Sequence, residues 1–294
     1  MLISLERDRT CGQANGLGTT LRNTHSSSTI RSANRDRSSP RTGEIPEFIV
    51  ASSSDDQLWR LWGMPVGEMI MTGVGHSDWL SGCSFHPNGG SLATTSGDTT
   101  VRIWDFSQGR CILTLNDHTH ATWGCSFHSC GDFVASCSMD TTKVWDLQRE
   151  HCRSTLLGHV DSVNSVTFLP FSNTLRTCSA DKTQHSCNHA TFNALGDTVA
   201  SCDSYGVGKL WGCEESSSHG PHPSNQVAFS PSGRTLAIAS NDGSVKLVEL
   251  ASTQVSSLLG HDDAVQSVIF DDKGEYLLSA GSDGAILVWS LINV

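Results

Sequence analysis

The chain has 294 residues, enough to bury a large core in one all-β ring or in two smaller domains. Its 19 Lys and Arg stand against 30 Asp and Glu, a formal net charge of -11 that argues against nucleic acid or an anionic membrane as the main partner. No stretch approaches the run of about 18 apolar residues that a membrane-spanning helix needs.

The charge is uneven along the chain. Residues 1–44 hold seven Arg and four acids, so this head is +3 while the remainder is -14. The head shows neither repeat nor alternation and is expected to be a disordered Arg/Ser-rich tail, with solvation rather than binding as its simplest role. Met1 to Leu5 is too short for a signal-peptide core, and Glu6 and Asp8 sit badly with a transit peptide, so the chain is read as soluble and intracellular. Eleven cysteines lie scattered through apolar segments, which suits free thiols in a reducing compartment and predicts no disulfides.

From residue 45 onward a pattern recurs with a period near 42 residues. Its clearest copy opens at His76 and runs through an apolar strand to Phe85, a Pro87-Asn88-Gly89-Gly90 turn, a strand from Leu92, a tight turn at Asp98, and Val101-Arg102-Ile103-Trp104-Asp105. The spacing of 22 residues from His76 to Asp98 returns at His118 to Asp140, His159 to Asp181 and His261 to Asp283. Four residues before each Asp stands a hydroxyl: Thr94, Ser136, Thr177 and Ser279. A Trp follows the Asp at Trp104, Trp145 and Trp289, and the same offsets fit Ser52, Asp56 and Trp62.

Such a set predicts a hydrogen-bond network in which His bridges Asp and hydroxyl while the hydroxyl meets the indole N–H, so polar groups are buried without loss of partners. The segments between are short, rich in β-branched and aromatic residues, and punctuated at Gly233, Asn241-Asp242-Gly243 and Lys273-Gly274, which predicts strands.

Through Gly75-His76, Trp104-Asp105, Trp145-Asp146, Gly158-His159 and Gly260-His261 the sequence resembles the WD-repeat family. The resemblance implies an all-β propeller of four-stranded blades over 45–294, with about six to seven blades. Phrases outside the general repeat, such as Gly75 to Cys83, Phe127 to Asp132, Phe168 to Leu175 and Ala200 to Val207, are similar to propellers of the central apparatus of motile cilia and flagella.

The pattern also breaks. Asp140 to Trp145 is one residue short, which would invert the facing of the strand unless a bulge absorbs it. After Asp181 the expected strand and Trp do not arrive; the chain passes through Gln184-His185-Ser186-Cys187-Asn188-His189 into the next blade, about eighteen residues short of the period. A smaller shortfall follows Trp211, and no outermost strand follows the last repeat before Val294. The ring is therefore expected to be incomplete or poorly closed, with a damaged junction near 181–220 at which two blades lack strands.

Candidate chemistry is weighed against packing. The Ser/Thr, His and Asp sets mimic a nucleophilic triad but recur at one offset, whereas a triad needs a single exposed nucleophile. Cys83-x-x-His86 and Cys125-x-x-His128-x-Cys130 have metal-ligand types, yet the Cys-Ser-Phe-His stretches lie 42 residues apart and so occupy equivalent blade positions. Gly281 to Gly284 is a blade turn rather than a phosphate loop. Neither a cofactor, a metal nor a catalytic residue is assigned, and no enzyme activity is expected.

The resemblance implies that residues three and five after each His, and one before each Asp, line a docking face. These are Trp79, Ser81 and Gly97, then Ala121, Trp123 and Met139, then Ser162, Asn164 and Ala180, with Asp55 on the preceding side. Large aromatics on such a rim carry interface energy, and the alternative for Trp123 is to turn inward as core. The expected function is a scaffold for other proteins, such as central-apparatus or other axonemal components in a cilium or flagellum, with neither nucleic acid nor membrane as a partner. The alternative is a substrate receptor of a cullin-type ubiquitin ligase, which typically shows Trp-Asp-x-Arg where this chain has Trp104-Asp105-Phe106-Ser107 and Trp145-Asp146-Leu147-Gln148.

Overall fold

Each repeat supplies short strands whose buried side chains are aliphatic, aromatic or small, and the chain folds into seven antiparallel sheets. In the computed structural model the described residues are 48–291 apart from 65, 140, 170–171, 182–185, 212–216, 220–221 and 253, together with the backbone of 6–7, 19–22 and 28–33. No helix occurs among them.

Two strands, β1 (Glu6–Arg7) and β2 (Thr19–Arg22), come first. Blade 1 is β3 (Ser28–Ala33), β4 (Phe48–Ser54), β5 (Leu58–Met64) and β6 (Glu68–Val74). Blade 2 is β7 (Leu80–Phe85), β8 (Ser91–Ser96), β9 (Val101–Asp105) and β10 (Arg110–Leu115). Blade 3 is β11 (Thr122–Phe127), β12 (Phe133–Ser138), β13 (Thr142–Asp146) and β14 (His151–Leu156). Blade 4 has two strands among the described residues, β15 (Val163–Phe168) and β16 (Leu175–Ser179).

Blade 5 follows with β17 (Cys187–Phe192), β18 (Val199–Asp203), β19 (Val207–Trp211) and a short β20 (Ser217–His219). Blade 6 is β21 (Ser224–Phe229), β22 (Thr235–Ser240), β23 (Ser244–Glu249) and β24 (Val255–Leu259). Blade 7 is β25 (Val265–Phe270), β26 (Tyr276–Gly281) and β27 (Ala285–Ser290), extended by β2 and β1.

The first strands β3, β7, β11, β15, β17, β21 and β25 follow one another side by side, and β25 packs against β3, which makes the arrangement a propeller. Most of the core lies between blades. Val50, Trp62 and Met64 of blade 1 pack on Leu278, Ile286 and Val288 of blade 7. Comparable clusters lie between blades 1 and 2, 2 and 3, 3 and 4, 5 and 6, and 6 and 7. Between blades 4 and 5 there is none among the described residues, and a cavity of about 540 Å³ lies there instead.

Three expectations are corrected. Residues 1–44, read as a disordered head, contribute strands to two sheets: β3 pairs with β4 as the first strand of blade 1, and β2 pairs with β27 as the outer strand that blade 7 lacks. The physical reason is that β4 and β27 would otherwise present unpaired backbone edges, and segments with Thr19-Thr20-Leu21 and Ser28-Thr29-Ile30 suit edge strands. The residue missing before Trp145 is taken up in the turn, not in a bulge between β12 and β13: Cys137 pairs with Thr142, where blade 2 pairs Thr95 with Val101, and the facing is kept. Finally, of the two blades expected to lack strands at 181–220, blade 5 has all four, so the described incompleteness is confined to blade 4.

Candidate functional site

The repeated polar sets meet inside the blades. In blade 2, His76 Nδ1 donates to Asp98 at 2.8 Å, Thr94 Oγ1 lies 2.8 Å from His76 Nε2, and Trp104 Nε1 donates to the same hydroxyl at 2.8 Å. Because carboxylate only accepts and indole only donates, the chain of bonds fixes one direction: Thr94 gives its proton to a neutral imidazole. Burial lowers the pKa of His76, against the opposing pull of Asp98. Burial works against ionised Asp98 as well, but hydrogen bonds from Thr100, His76 and two backbone N–H groups prevail and hold it at about 2.

Blade 7 repeats the geometry with His261, Asp283, Ser279 and Trp289 at 2.8–2.9 Å. Blade 3 brings together His118, Ser136 and Trp145 at 2.7 Å, while Asp140 lies outside the described residues. In blade 4, His159 meets Asp181 at 2.7 Å and Thr177 at 2.8 Å, and no tryptophan joins them among the described residues. Among the described residues blade 1 keeps the Trp62 to Ser52 bond, at 2.9 Å, and its Asp56 pairs with Arg60. Each hydroxyl of blades 2, 3 and 7 is thus held by both an imidazole and an indole, which leaves it nothing to do as a nucleophile.

The two Cys-Ser-Phe-His stretches are likewise absorbed by packing. Cys83 and Cys125 are buried with their thiols toward the carbonyl oxygens of Ala51 and Ala93 in the preceding blade. His86 and His128 stack edge-on against Phe127 and Phe168, each at 5.0 Å. The described cysteines are free thiols, and burial pushes the Cys137 thiol up to about 12. His185 lies outside the described residues.

Of the residues expected on a docking face, Trp79 and Trp123 are half-buried and stack across blades 2 and 3 at 5.0 Å, while Met139, in the turn after β12, is 49% exposed. Trp79 leans on Gly97, where even a Cβ would approach the indole to 2.6 Å. Trp123 also packs against the buried cluster of Cys137, Val163 and Val166, so it is partly core. Asp55 is half-buried at the turn of blade 1, and Ala121, Ser162 and Ala180 are half-buried too.

Ser81, Trp123 and Asn164 share a further property: each stands at a bulge where the first strand of its blade skips a residue against the second. Asn188, Asn225 and Gln266 occupy the same position in blades 5, 6 and 7. These six residues surround a central cavity of about 130 Å³. Four of them form a belt from blade to blade: Ser81 donates to the carbonyl of Thr122, Asn164 to Cys187, Asn188 to Ser224 and Asn225 to Val265, at 2.6–2.9 Å. Asn164, expected as a docking residue, therefore already uses its amide within the ring. Gln266 was within reach of the sequence pattern, lying five after His261, whereas Asn188 and Asn225 follow no His at that offset.

The ring, the recurring His–hydroxyl–Trp bonds and the bulge belt define a repeat protein whose polar groups are spent on architecture. The chain belongs to the WD domain, G-beta repeat family, whose model matches residues 67–105, 109–146, 150–183, 215–249 and 252–290. Proteins of this family are in general non-catalytic platforms for protein–protein interaction. Among curated relatives, a 41-residue segment covering 14% of the chain is 49% identical to sperm-associated antigen 16 protein of Homo sapiens, of which it covers 6%. The Mus musculus protein of that name matches over 34 residues at 56% identity, 12% of the chain and 5% of the relative. A 68-residue segment, 23% of the chain, is 41% identical to 6% of WD repeat and HMG-box DNA-binding protein 1 of Xenopus laevis. The matches thus span only a small part of these relatives' length.

Proposed function

We propose that this chain is a non-catalytic scaffold of the central apparatus of motile cilia or flagella, holding axonemal proteins against the face formed by blades 1 to 3. The observation that carries the docking mode is the Trp79–Trp123 stack, with exposed Met139 in the turn after β12 of the same blade as Trp123. It joins two blades, Gly97 lies against the Trp79 indole, and adaptable Met together with rigid aromatics suits a protein interface. The axonemal setting is supported by the short segments similar to sperm-associated antigen 16 protein. The ubiquitin-ligase reading has less support, since the positions of its Arg are Ser107, which bonds Asp105, and Gln148, which bonds Asp132.

Capture from demembranated axonemes by the immobilised full chain, followed by mass spectrometry, tests the proposal. Central-apparatus proteins are expected in the eluate and are expected to be depleted by Trp79→Ala. Enrichment of ligase subunits or nuclear proteins instead would overturn it.

A further inference from the structure

Blade 4 has two strands among the described residues, and β16 carries no third strand there. In the six other blades the second strand pairs antiparallel with a third, and one register recurs. Ala51, Ala93, Ala135, Ala200, Ala237 and Leu278 stand opposite Leu61, Ile103, Val144, Leu210, Leu247 and Val288. In blades 2, 3 and 7 the next residue of the third strand is a Trp whose indole donates to the hydroxyl one position further along the second strand. Strand β16 aligns with β8 through its pairing to β15, so Arg176 takes the place of Ala93 and Thr177 that of Thr94.

At this edge two things differ from the other blades. Thr177 Oγ1 keeps its imidazole, 2.8 Å from His159, but receives no indole among the described residues. Arg176 is exposed where the equivalent apolar residue of every other blade, Ala in five and Leu278 in blade 7, is fully buried, and its guanidinium lies 4.6 Å over the ring of Phe192 in blade 5. Both side chains line the cavity of about 540 Å³ that replaces an apolar cluster between blades 4 and 5, and Lys209 lines it from the other wall. The carboxylates there are occupied: Asp181 by His159, Asp203 by the backbone N–H groups of Tyr205 and Val207. A cation thus stands at the position where the missing strand would place its inter-blade side chain.

We propose that blade 4 is completed by an extended segment of a partner polypeptide, added antiparallel to β16. The segment carries an acidic residue facing Arg176, followed directly by a tryptophan whose indole N–H donates to Thr177 Oγ1. Main-chain bonds to the edge supply affinity, and the acid–tryptophan pair supplies selectivity, as in other cases of strand addition. This site is on the flank of the ring and is independent of the face around Trp79.

A fluorescein-labelled peptide, Ser-Thr-Val-Thr-Glu-Trp-Thr-Gly, titrated with the full chain and followed by polarisation, tests the assignment. Saturable one-to-one binding is expected, weakened at least tenfold by Trp→Ala in the peptide and at least tenfold by Arg176→Glu in the chain. A peptide with Lys in place of Glu is expected to regain affinity for the Arg176→Glu chain, which separates charge pairing from misfolding. Absence of saturable binding, or binding indifferent to both the Trp and the charge exchange, overturns the proposal. Sedimentation velocity covers the other occupant: a dimer dissolved by Arg176→Glu would mean that a second copy fills the edge, and would overturn the assignment to a partner.

Discussion

The indole rings of Trp79 and Trp123 lie 5.0 Å apart at 31°, so side chains of blades 2 and 3 form one surface. The two do not share its costs equally, because only Trp123 also joins a buried cluster. Trp79→Ala is expected to weaken partner capture by about 2 kcal/mol while leaving the melting curve nearly unchanged, whereas Trp123→Ala is expected to lower stability by about 2–3 kcal/mol as well. Calorimetric melting beside binding isotherms checks this; equal thermal losses for both variants would make Trp79 core.

Thr94 is the shared atom of its network, holding His76 and Trp104 at 2.8 Å each. Thr94→Val leaves two buried groups without partners and is expected to cost about 2–4 kcal/mol in urea unfolding. Thr177→Val, which deprives an imidazole alone, is expected to cost about half as much. A larger loss at Thr177 than at Thr94 would contradict the role given to the indole.

Acid should unravel the networks in two stages. Burial lowers the pKa of His76 below 6.5, so the folded state resists a proton that the unfolded state takes, and stability begins to fall as pH drops through that value. Asp98 is held at about 2 against an ordinary 3.8, so its contribution is present above 3.8 and is lost as pH falls from there toward 2. Urea midpoints are expected to be flat above pH 7, to decline below about pH 6.5 and to fall more steeply below pH 4. Asp98→Asn is expected to flatten the lower limb, and an unchanged lower limb in that variant would contradict the assignment.

Gly73 sits under Trp59, where a Cβ would come within 1.9 Å of the indole. Gly73→Ala must displace a fully buried ring and is expected to cost about 2–3 kcal/mol, while Gly109→Ala, with open space but a φ of +63°, is expected to cost about 1 kcal/mol. Denaturation of the two variants side by side checks the order.

Blade 4 has no third strand among the described residues and no apolar cluster joins it to blade 5. Amides of β16 are expected to exchange with solvent faster than those of β8 and β12, which are paired on both sides. Slower exchange in β16 than at 76–150 would show that the edge is covered in the free chain.

Much of this was legible from spacing alone. The offset from His76 to Asp98 and the hydroxyl at Thr94 state a hydrogen-bond pattern directly, because each donor needs its acceptor at a fixed place in a blade. The break after Asp181 was legible for the same reason, as an offset with nothing at its end. The proposed docking face was legible only as positions: an offset from His118 gives Trp123, yet its share of core follows from Val163 and Val166, which lie in another blade.

What the sequence by itself determined is therefore the blade: strands, turns, and the His, hydroxyl and Trp that pin them, all within one period of chain. Only the tertiary structure decided how blades meet. That β2 pairs with β27 and β3 with β4 could not be read from an Arg- and Ser-rich segment without alternation, because the demand for those strands comes from backbone edges far away in sequence. The shortened turn before Trp145, the belt from Asn164 to Asn225, and the cavity beside Arg176 have the same origin. Each depends on which groups lie opposite across a gap, and that distance is set by packing, not by the order of residues along the chain.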